Sequence, residues 1–562
     1  MNRKLAELAA DAKKAWNSVM NSAKPLIMVG TATCGRSAGG METLETIKEE
    51  TRKRGMAAEI IEVGCLGLCY AEPLIHVKKP GGPAVCYGEV DPERAAEIIE
   101  EYIEKDNPLP KYALGTLGDG AIRGIPALHE TPVMKLQARR VLRHCGWIDP
   151  SEIKHYLADG GYGGFVRAVE MGSRGVIDEL KAAGLRGRGG AGFPTWVKWQ
   201  FCIDAPGAEK YIVCNADEGD PGAFMNRSLL EGDPHSVIEG MLIAGCTIGA
   251  EEGYMYCRAE YPLALERLDV ALKQAHDCGI LGDDVLGTGF KFHVKVKEGA
   301  GAFVCGEETA LIASIEGKRG MPRSRPPFPA ASGLFGRPTV INNVETLASV
   351  SMILQKGAAW FAEYGTEKSK GTKTFALVGK VKRTGLVEVP LGITLREMIF
   401  DVGGGVLNDR ALKAVQTGGP SGGCIPASLM ELQVDYDSLN AAGSIMGSGG
   451  MVVMDEDTCM VDFARYFLDF TQKESCGKCV PCRLGTKQML DMLNDIAAGK
   501  GTPEDIRLLE ETAMTVKKTS LCGLGQTAPN PVLTSLRYFR NEYEQHVNDR
   551  QCRSLVCKKL IS

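Results

Sequence analysis

The chain has 562 residues, too many for one hydrophobic core, and length alone implies about three to five domains. Its apolar content of 44% and charged content of 24% are ordinary for a globular protein, and a net charge of -5 argues against a nucleic-acid partner. With no run of about 18 apolar residues, no membrane span is expected, and the cytoplasm is the expected location.

Residues 1–24 alternate charges with Leu5, Leu8, Ala12, Trp16 and Val19, which predicts an amphipathic helix and not an export signal. Residues 25–105 form an α/β pattern, with strands over 25–29, 59–63 and 74–77 and helices over 41–54 and 93–104. The stretch 106–140, rich in proline and glycine, reads as a linker. Over 141–345 strands alternate with helices and glycine-rich turns, which predicts a mixed or parallel sheet of Rossmann-like character. Strands over 374–378, 386–389 and 412–416, with a helix over 395–402, suggest a small β-grasp domain within 346–455. Helical spacing dominates 456–545 around a cysteine cluster, and 546–562 is a polar tail. The fold class is α/β multidomain, with a helical bundle at the C-terminal end.

Nineteen cysteines without an export signal point to metal binding more than to disulfides. Cys145, Cys202, Cys246, Cys257 and Cys278 stand alone and are expected as small buried apolar side chains. Cys476, Cys479 and Cys482 have C-x2-C-x2-C spacing, and Cys522 follows in Ser-Leu-Cys-Gly. Three thiolates at this spacing with a distant fourth suit a [4Fe–4S] cubane, with zinc or a redox thiol pair as alternatives. In the N-terminal region, Cys34 follows the first strand, and Cys65 and Cys69 follow the second. One thiolate is missing: Gly39 stands five positions after Cys34, which leaves Cys86 or Ser37 as candidate fourth ligands. A [2Fe–2S] centre and a degenerate docking domain are the two readings. In the tail, His546, Cys552 and Cys557 fall within twelve residues, and Cys459 is a candidate fourth partner. A Cys3His set suits structural zinc, with an iron–sulfur centre or free thiols as alternatives.

Glycines at 184, 187, 189, 190 and 192 are interleaved with Arg186 and Arg188. Glycines let backbone approach a phosphate or ring, and guanidinium groups offset negative charge. Carboxylates and amides embedded in glycine follow at 215–222, 298–309 and 342–346, and a Pro-Pro-Phe-Pro run at 326–329. They suit hydrogen bonds to isoalloxazine edges and ribose hydroxyls. Phe193, Phe201 and Phe328 are candidates to stack on rings.

This array resembles the NADH-binding flavoprotein subunit of respiratory complex I and its relatives in NAD-linked, often electron-bifurcating hydrogenases, over about residues 140–545. The thioredoxin-like part resembles the small [2Fe–2S] subunit of complex I, here fused in front. The resemblance implies that Gly187, Arg188 and Gly189 bind NADH and flavin, with Lys198 nearby. It implies that Asn215, Asp217, Gly306, Glu307, Asn342, Asn343 and Thr346 hold FMN. Phe193, Phe201, Glu308 and Phe328 would place the nicotinamide and adenine, and Glu218, Asp220 and Arg325 would complete the cofactor-binding set. The resemblance also implies NAD and not NADP, and Asp220 or Glu308 would repel a 2′-phosphate if either faces the ribose. Three positions depart from the complex I pattern: Asp220 in place of Glu, Phe303 in place of Tyr and Arg325 in place of Lys.

A hydride carries two electrons and a cluster accepts one, so flavin is the expected intermediary. The expected chemistry is hydride transfer between nicotinamide C4 and flavin N5, followed by single-electron steps to the [4Fe–4S] cluster, with no side chain acting as acid or base. The expected setting is a multisubunit, electron-bifurcating hydrogenase, the alternative a complex I-like or formate dehydrogenase complex. Expected partners are a catalytic subunit with iron–sulfur clusters, a small [2Fe–2S] thioredoxin-like subunit and ferredoxin.

Overall fold

The short apolar runs separated by turns resolve into three sheets and a helical C-terminal region in the computed structural model, which describes residues 2–560. The first sheet contains β1 (Leu26–Gly30), β2 (Glu59–Val63), β3 (Ile75–Lys78), β4 (Ala84–Tyr87) and β5 (Ala113–Leu117), in the order β2-β1-β3-β4-β5. β1 is buried along its whole length, as a central strand covered on both faces must be, and it pairs parallel to β2 and antiparallel to β3. The helices at 40–53 and 92–98 fall where apolar periodicity placed them. The expected linker is corrected: within it, β5 pairs antiparallel to β4 and closes the sheet. Prolines on either side of Ala113–Leu117 hid a short strand, because proline is tolerated outside the paired residues of an edge.

The second sheet contains β6 (Tyr211–Ala216), β7 (Glu252–Arg258), β8 (His293–Gly299) and β9 (Thr339–Asn343), ordered β8-β7-β6-β9 and parallel throughout. Parallel strands need crossover helices, and the one at Pro234–Ile248 between β6 and β7 is almost wholly buried against the sheet, as is the helix Val344–Lys356 that follows β9. Register pairs Asn215 with Asn343, so the carboxyl ends of two adjacent strands present polar side chains together. In open parallel sheets that edge is where ligands bind.

The third sheet contains β10 (Thr372–Gly379), β11 (Gly385–Pro390), β12 (Leu412–Thr417), β13 (Gly423–Pro426) and β14 (Gly450–Asp455), ordered β11-β10-β14-β12-β13. Three of these strands fall where the sequence placed them, and β13 and β14 are additional. The expected helix over 395–402 is a π-helix at Glu397–Val402. Residues 346–356, placed by the sequence in this domain, belong to the helix Val344–Lys356, which shares its core with the second sheet instead. Lys373 of β10 and Glu345 of that helix form a buried ion pair, and Glu345 also accepts from the Thr374 backbone N–H at 2.8 Å, which joins the two regions.

Helices at 460–473, 486–497, 503–519 and 530–544 pack around a shared C-terminal core. The N-terminal helix Arg3–Met20 docks on the helix Ile153–Ala158, where the Trp16 and His155 rings lie 4.2 Å apart. Among the described residues no helix is long and apolar enough to cross a membrane.

Candidate active site and metal centres

At the carboxyl edge of the second sheet lies a cavity of about 800 Å3. Fourteen of the sequence-predicted residues form its wall: Gly187, Gly189, Phe193, Lys198, Phe201, Asn215, Gly306, Glu307, Glu308, Arg325, Phe328, Asn342, Asn343 and Thr346. Phe193, Phe201 and Phe328 are 47%, 57% and 56% exposed, a concentration of open aromatic faces that a buried core would not leave. Asn215 donates to the Gly306 carbonyl at 3.0 Å, and Asn343 donates to Asn226 at 3.2 Å while its own oxygen caps the helix that follows. Glu307 caps the helix Glu308–Ile315 by accepting from the Thr309 and Ala310 backbone N–H groups. Lys198 donates to Glu308 at 2.5 Å and to the Ile341 carbonyl at 3.0 Å, with Arg325 3.9 Å from the other Glu308 oxygen.

Four predicted residues are not in this wall. Arg188 is fully buried and donates to the carbonyls of Thr372, Arg186 and Lys370, so its charge is spent on backbone and not on a phosphate. Glu218 accepts from the Asn226 and Arg227 backbone N–H groups and holds the turn before the helix Met225–Gly232. Asp220 accepts from Ser448 at 2.8 Å, and burial pushes its carboxyl up to about 6. Asp217 lies behind Gly306. Both its oxygens lack a hydrogen-bond donor in the protein, and burial pushes its carboxyl up to about 7 against the pull of Arg258 at 3.6 Å. The amides and open aromatic faces of the wall fit a bound ring with polar edges, while the Asp217 carboxylate, sealed behind Gly306, does not line it. The glycines fit as well: a methyl group at Gly306 would meet nothing closer than Asp217 at 3.6 Å.

Sequence reasoning missed Trp199, whose indole N–H donates to the Asn342 side-chain oxygen at 2.8 Å and fixes that amide. It also missed Asp204, Pro206 and Gly523 in the wall. Gly523 adjoins Cys522, so the cavity wall and the cluster loop are continuous, a relation no local spacing signals.

Cys476, Cys479, Cys482 and Cys522 surround a small pocket closed by Val304, Pro322 and Leu524. Among the described residues, groups of ligand atoms within 4.8 Å of one another occur at Cys34, Cys65 and Cys69, and at Cys459, His546, Cys552 and Cys557. The four pocket cysteines are spread more widely. Tetrahedral zinc holds sulfurs about 3.8 Å apart, so the wider set suits a cubane.

The tail group is buried, unlike the open tail its polar sequence suggests, with Cys552 and His546 at 1% and 2% exposure. Cys459 lies 3.4 Å from His546 Nε2 and 3.9 Å from Cys557. His546 Nδ1 donates to the Glu542 carbonyl at 2.7 Å, which turns Nε2 towards the sulfurs. Sulfur contact with Cys557 holds the Cys459 thiol well below its usual range.

In the N-terminal group, Cys69 is 3.7 Å from Cys65 and 3.6 Å from Cys34. The candidate Cys86 is not among them. It points into the apolar core beside Leu66, Leu68 and Leu74, and burial pushes its thiol far up. Gly39 is a helix cap in the left-handed region, and Ser37 ends the short helix Thr33–Ser37. The Cys65–Cys69 loop is fastened to β11 by backbone bonds Leu386 to Gly67 and Tyr70 to Thr384.

Residues 180–352 match the family described as the Nuo51 FMN-binding domain, and residues 462–546 the iron–sulfur binding region of NADH-ubiquinone oxidoreductase-F. The chain is therefore an oxidoreductase subunit with an FMN-binding domain and a [4Fe–4S] binding region. The HndC subunit of the NADP-reducing hydrogenase of Solidesulfovibrio fructosivorans is 55% identical over 432 residues, covering 77% of this chain and 88% of the relative. The F 2 subunit of the NADH-quinone oxidoreductase of Rhizobium meliloti (strain 1021) is 46% identical over 413 residues, 73% of this chain and 98% of the relative. A solved NAD+-reducing [NiFe]-hydrogenase in the air-oxidised state aligns over 97% of this chain and 90% of its own, at 30% identity and a TM-score of 0.65. This chain belongs to the family of HndC and the F subunits of NADH-quinone oxidoreductases.

Proposed function

We propose that this subunit exchanges electrons between NADH and the iron–sulfur clusters of a multisubunit, electron-bifurcating hydrogenase in the cytoplasm. The observation that carries the reading is the continuity of the large cavity with the Cys522 loop through Gly523. Bound in that cavity, FMN supplies the exchange between a hydride and single electrons. The residues would do the positioning. Gly187, Gly189 and Gly306 would admit the flavin at close range, Asn215, Asn342, Asn343 and Thr346 would meet its polar edges, and Asp217 would support Gly306 from behind the wall. Phe193, Phe201 and Phe328 would stack on the nucleotide's rings and exclude water, and the Lys198–Glu308–Arg325 group would meet its ribose and phosphates.

Cys476, Cys479, Cys482 and Cys522 would hold the [4Fe–4S] cluster, Cys34, Cys65 and Cys69 a [2Fe–2S] cluster, and Cys459, His546, Cys552 and Cys557 a structural zinc. The finer domain reading is thioredoxin-like for the first sheet, Rossmann-like for the second, β-grasp for the third and a helical bundle beyond. Its boundaries are 1–24, 25–105, 106–140, 141–345, 346–455, 456–545 and 546–562, with β5 moved into the first domain and the 344–356 helix into the flavin domain.

The likeness to HndC and to the NAD+-reducing hydrogenase supports the hydrogenase setting, in which a cluster-bearing catalytic subunit, a small [2Fe–2S] subunit and ferredoxin are the partners. The likeness to the Rhizobium meliloti relative favours a complex I-like assembly as the second reading. The test is anaerobic titration of the purified chain with NADH, following flavin absorbance and reduction of a one-electron dye. A protein without flavin, or one whose flavin NADH does not bleach, ends the reading. Identification of co-purified subunits separates the two assemblies.

A further inference from the structure

The N-terminal group is one thiolate short of a four-cysteine cluster, and what stands in the gap is a carboxylate. Glu72 follows the Cys65–Cys69 loop, and its Oε1 lies 3.6 Å from Cys65 Sγ. Its Oε2 accepts from the Leu74 backbone N–H at 3.0 Å, which fixes the plane of the group. That oxygen packs against Gly30 and Gly35, where added methyl groups would lie 3.4 and 3.3 Å from it. Gly30 ends β1 and Gly35 follows Cys34, so the carboxylate reaches from the second loop across to the first, the loop that lacks a thiolate.

We propose that Glu72 is the fourth protein ligand of the N-terminal cluster, completing a Cys3Glu set; the inference rests on the [2Fe–2S] reading above. Each iron of such a cluster takes two protein ligands. Ligand atoms on one tetrahedral metal, with bonds of about 2.0–2.3 Å, lie about 3.5–3.8 Å apart. The Cys34–Cys69, Cys65–Cys69 and Cys65–Glu72 separations, 3.6, 3.7 and 3.6 Å, all lie in that range, which puts the carboxylate at ligand distance from the thiolate set. Other candidates are engaged or turned away. Glu231 accepts from the Thr33 backbone and hydroxyl, Glu62 accepts from Thr31, and Cys86 faces the core. Among the described residues no lysine or arginine pairs with Glu72, and a buried carboxylate without a cation is costly unless a metal supplies one. Glutamate for cysteinate also leaves the total ligand charge unchanged. Arg227 stands 3.9 Å from Cys34 on the side of the flavin domain.

The test uses the full chain, purified anaerobically, and its Glu72→Ala and Glu72→Cys variants. Iron and FMN per chain are measured, with electron paramagnetic resonance of the reduced protein recorded cold, where the [4Fe–4S] signal is seen, and again warm enough to broaden it away. FMN and the [4Fe–4S] signal report folding. Glu72→Ala should lose about two irons per chain and the [2Fe–2S] signal while keeping FMN. Glu72→Cys should keep its iron and show shifted g values and stronger sulfur charge-transfer absorption. An unchanged signal in Glu72→Ala, or a Glu72→Cys spectrum identical to wild type, overturns Glu72 as ligand and leaves the cluster reading standing. A wild type with no [2Fe–2S] signal removes the cluster reading, and this proposal with it.

Discussion

The guanidinium of Arg188 donates to the carbonyl oxygen of Thr372 at 3.0 Å, across the junction between the glycine-rich loop and the third sheet. Its other donors meet Arg186 and Lys370, and its own backbone N–H donates to Thr346 at 2.8 Å. The loop that lines the cavity is thus held from behind. Arg188→Met strands the carbonyls and should cost about 3 kcal/mol of stability. Arg188→Lys keeps the charge but not the fork, and should weaken FMN retention more than it lowers the melting temperature. Denaturation curves with flavin-release titrations check both. Full flavin occupancy in a strongly destabilised Arg188→Lys would contradict the positioning role.

Gly306 and Gly189 test the flavin site directly. The first atom added at Gly306 would come to contact distance, 3.6 Å from Asp217, whereas at Gly189 it would lie 3.1 Å from Asn343. Gly306→Val and Gly189→Val should each lower the flavin-to-iron ratio at least about tenfold, a binding penalty of about 1.4 kcal/mol. Iron should stay constant, because no cysteine of the clusters touches either glycine in the structure. Stoichiometric flavin in Gly306→Val would move the site elsewhere.

Much of this cavity is legible in the sequence because its residues sit in runs of glycine with polar side chains, a composition that neither cores nor solvated loops use. Arg188, Glu218 and Asp220 mislead for one shared reason. A charged residue inside such a run looks the same whether it faces a ligand or satisfies buried polar groups, and here all three do the latter. The strands β13 and β14 escape notice because glycines, a proline and mixed side chains break their alternation, and the pairing of β14 to β10 is non-local. The zinc-type group is legible because histidine and cysteine within a polar tail have no core role, although the tail's burial is not. Glu72 is invisible, since one glutamate near two cysteines has no spacing signature.

Nucleotide preference depends on Glu308. Asp220 cannot repel a 2′-phosphate as expected, because its carboxyl is turned to Ser448 and lies outside the cavity wall. Glu308 stays in the wall, held by Lys198 and near Arg325. NADH should be preferred, and Glu308→Gln, which frees both cations, should narrow the ratio of kcat/KM values for NADH and NADPH by about tenfold, about 1.4 kcal/mol. Equal efficiencies in the wild type would overturn the preference.

The tail group makes a sharper prediction, because its four ligand atoms already lie within 4.8 Å of one another while the residues that carry them are up to 98 positions apart. Cys459 opens the helix Met460–Lys473, and His546 follows the helix Asn530–Glu544, so an ion between them ties the two ends of the bundle to the tail. One tightly bound zinc per chain is expected, held as a closed structural site. Protons compete with zinc for the thiolates and the imidazole, so zinc should leave in acid, well below neutral pH, and return on neutralisation. Cys557→Ala should abolish the zinc, loosen the tail to protease and lower the melting temperature, while FMN and the [4Fe–4S] signal persist, since none of their residues belongs to this group. Elemental analysis alongside limited proteolysis decides it. Zinc absent from the wild type, or unchanged in Cys557→Ala, ends the assignment; iron in its place would make the site a cluster.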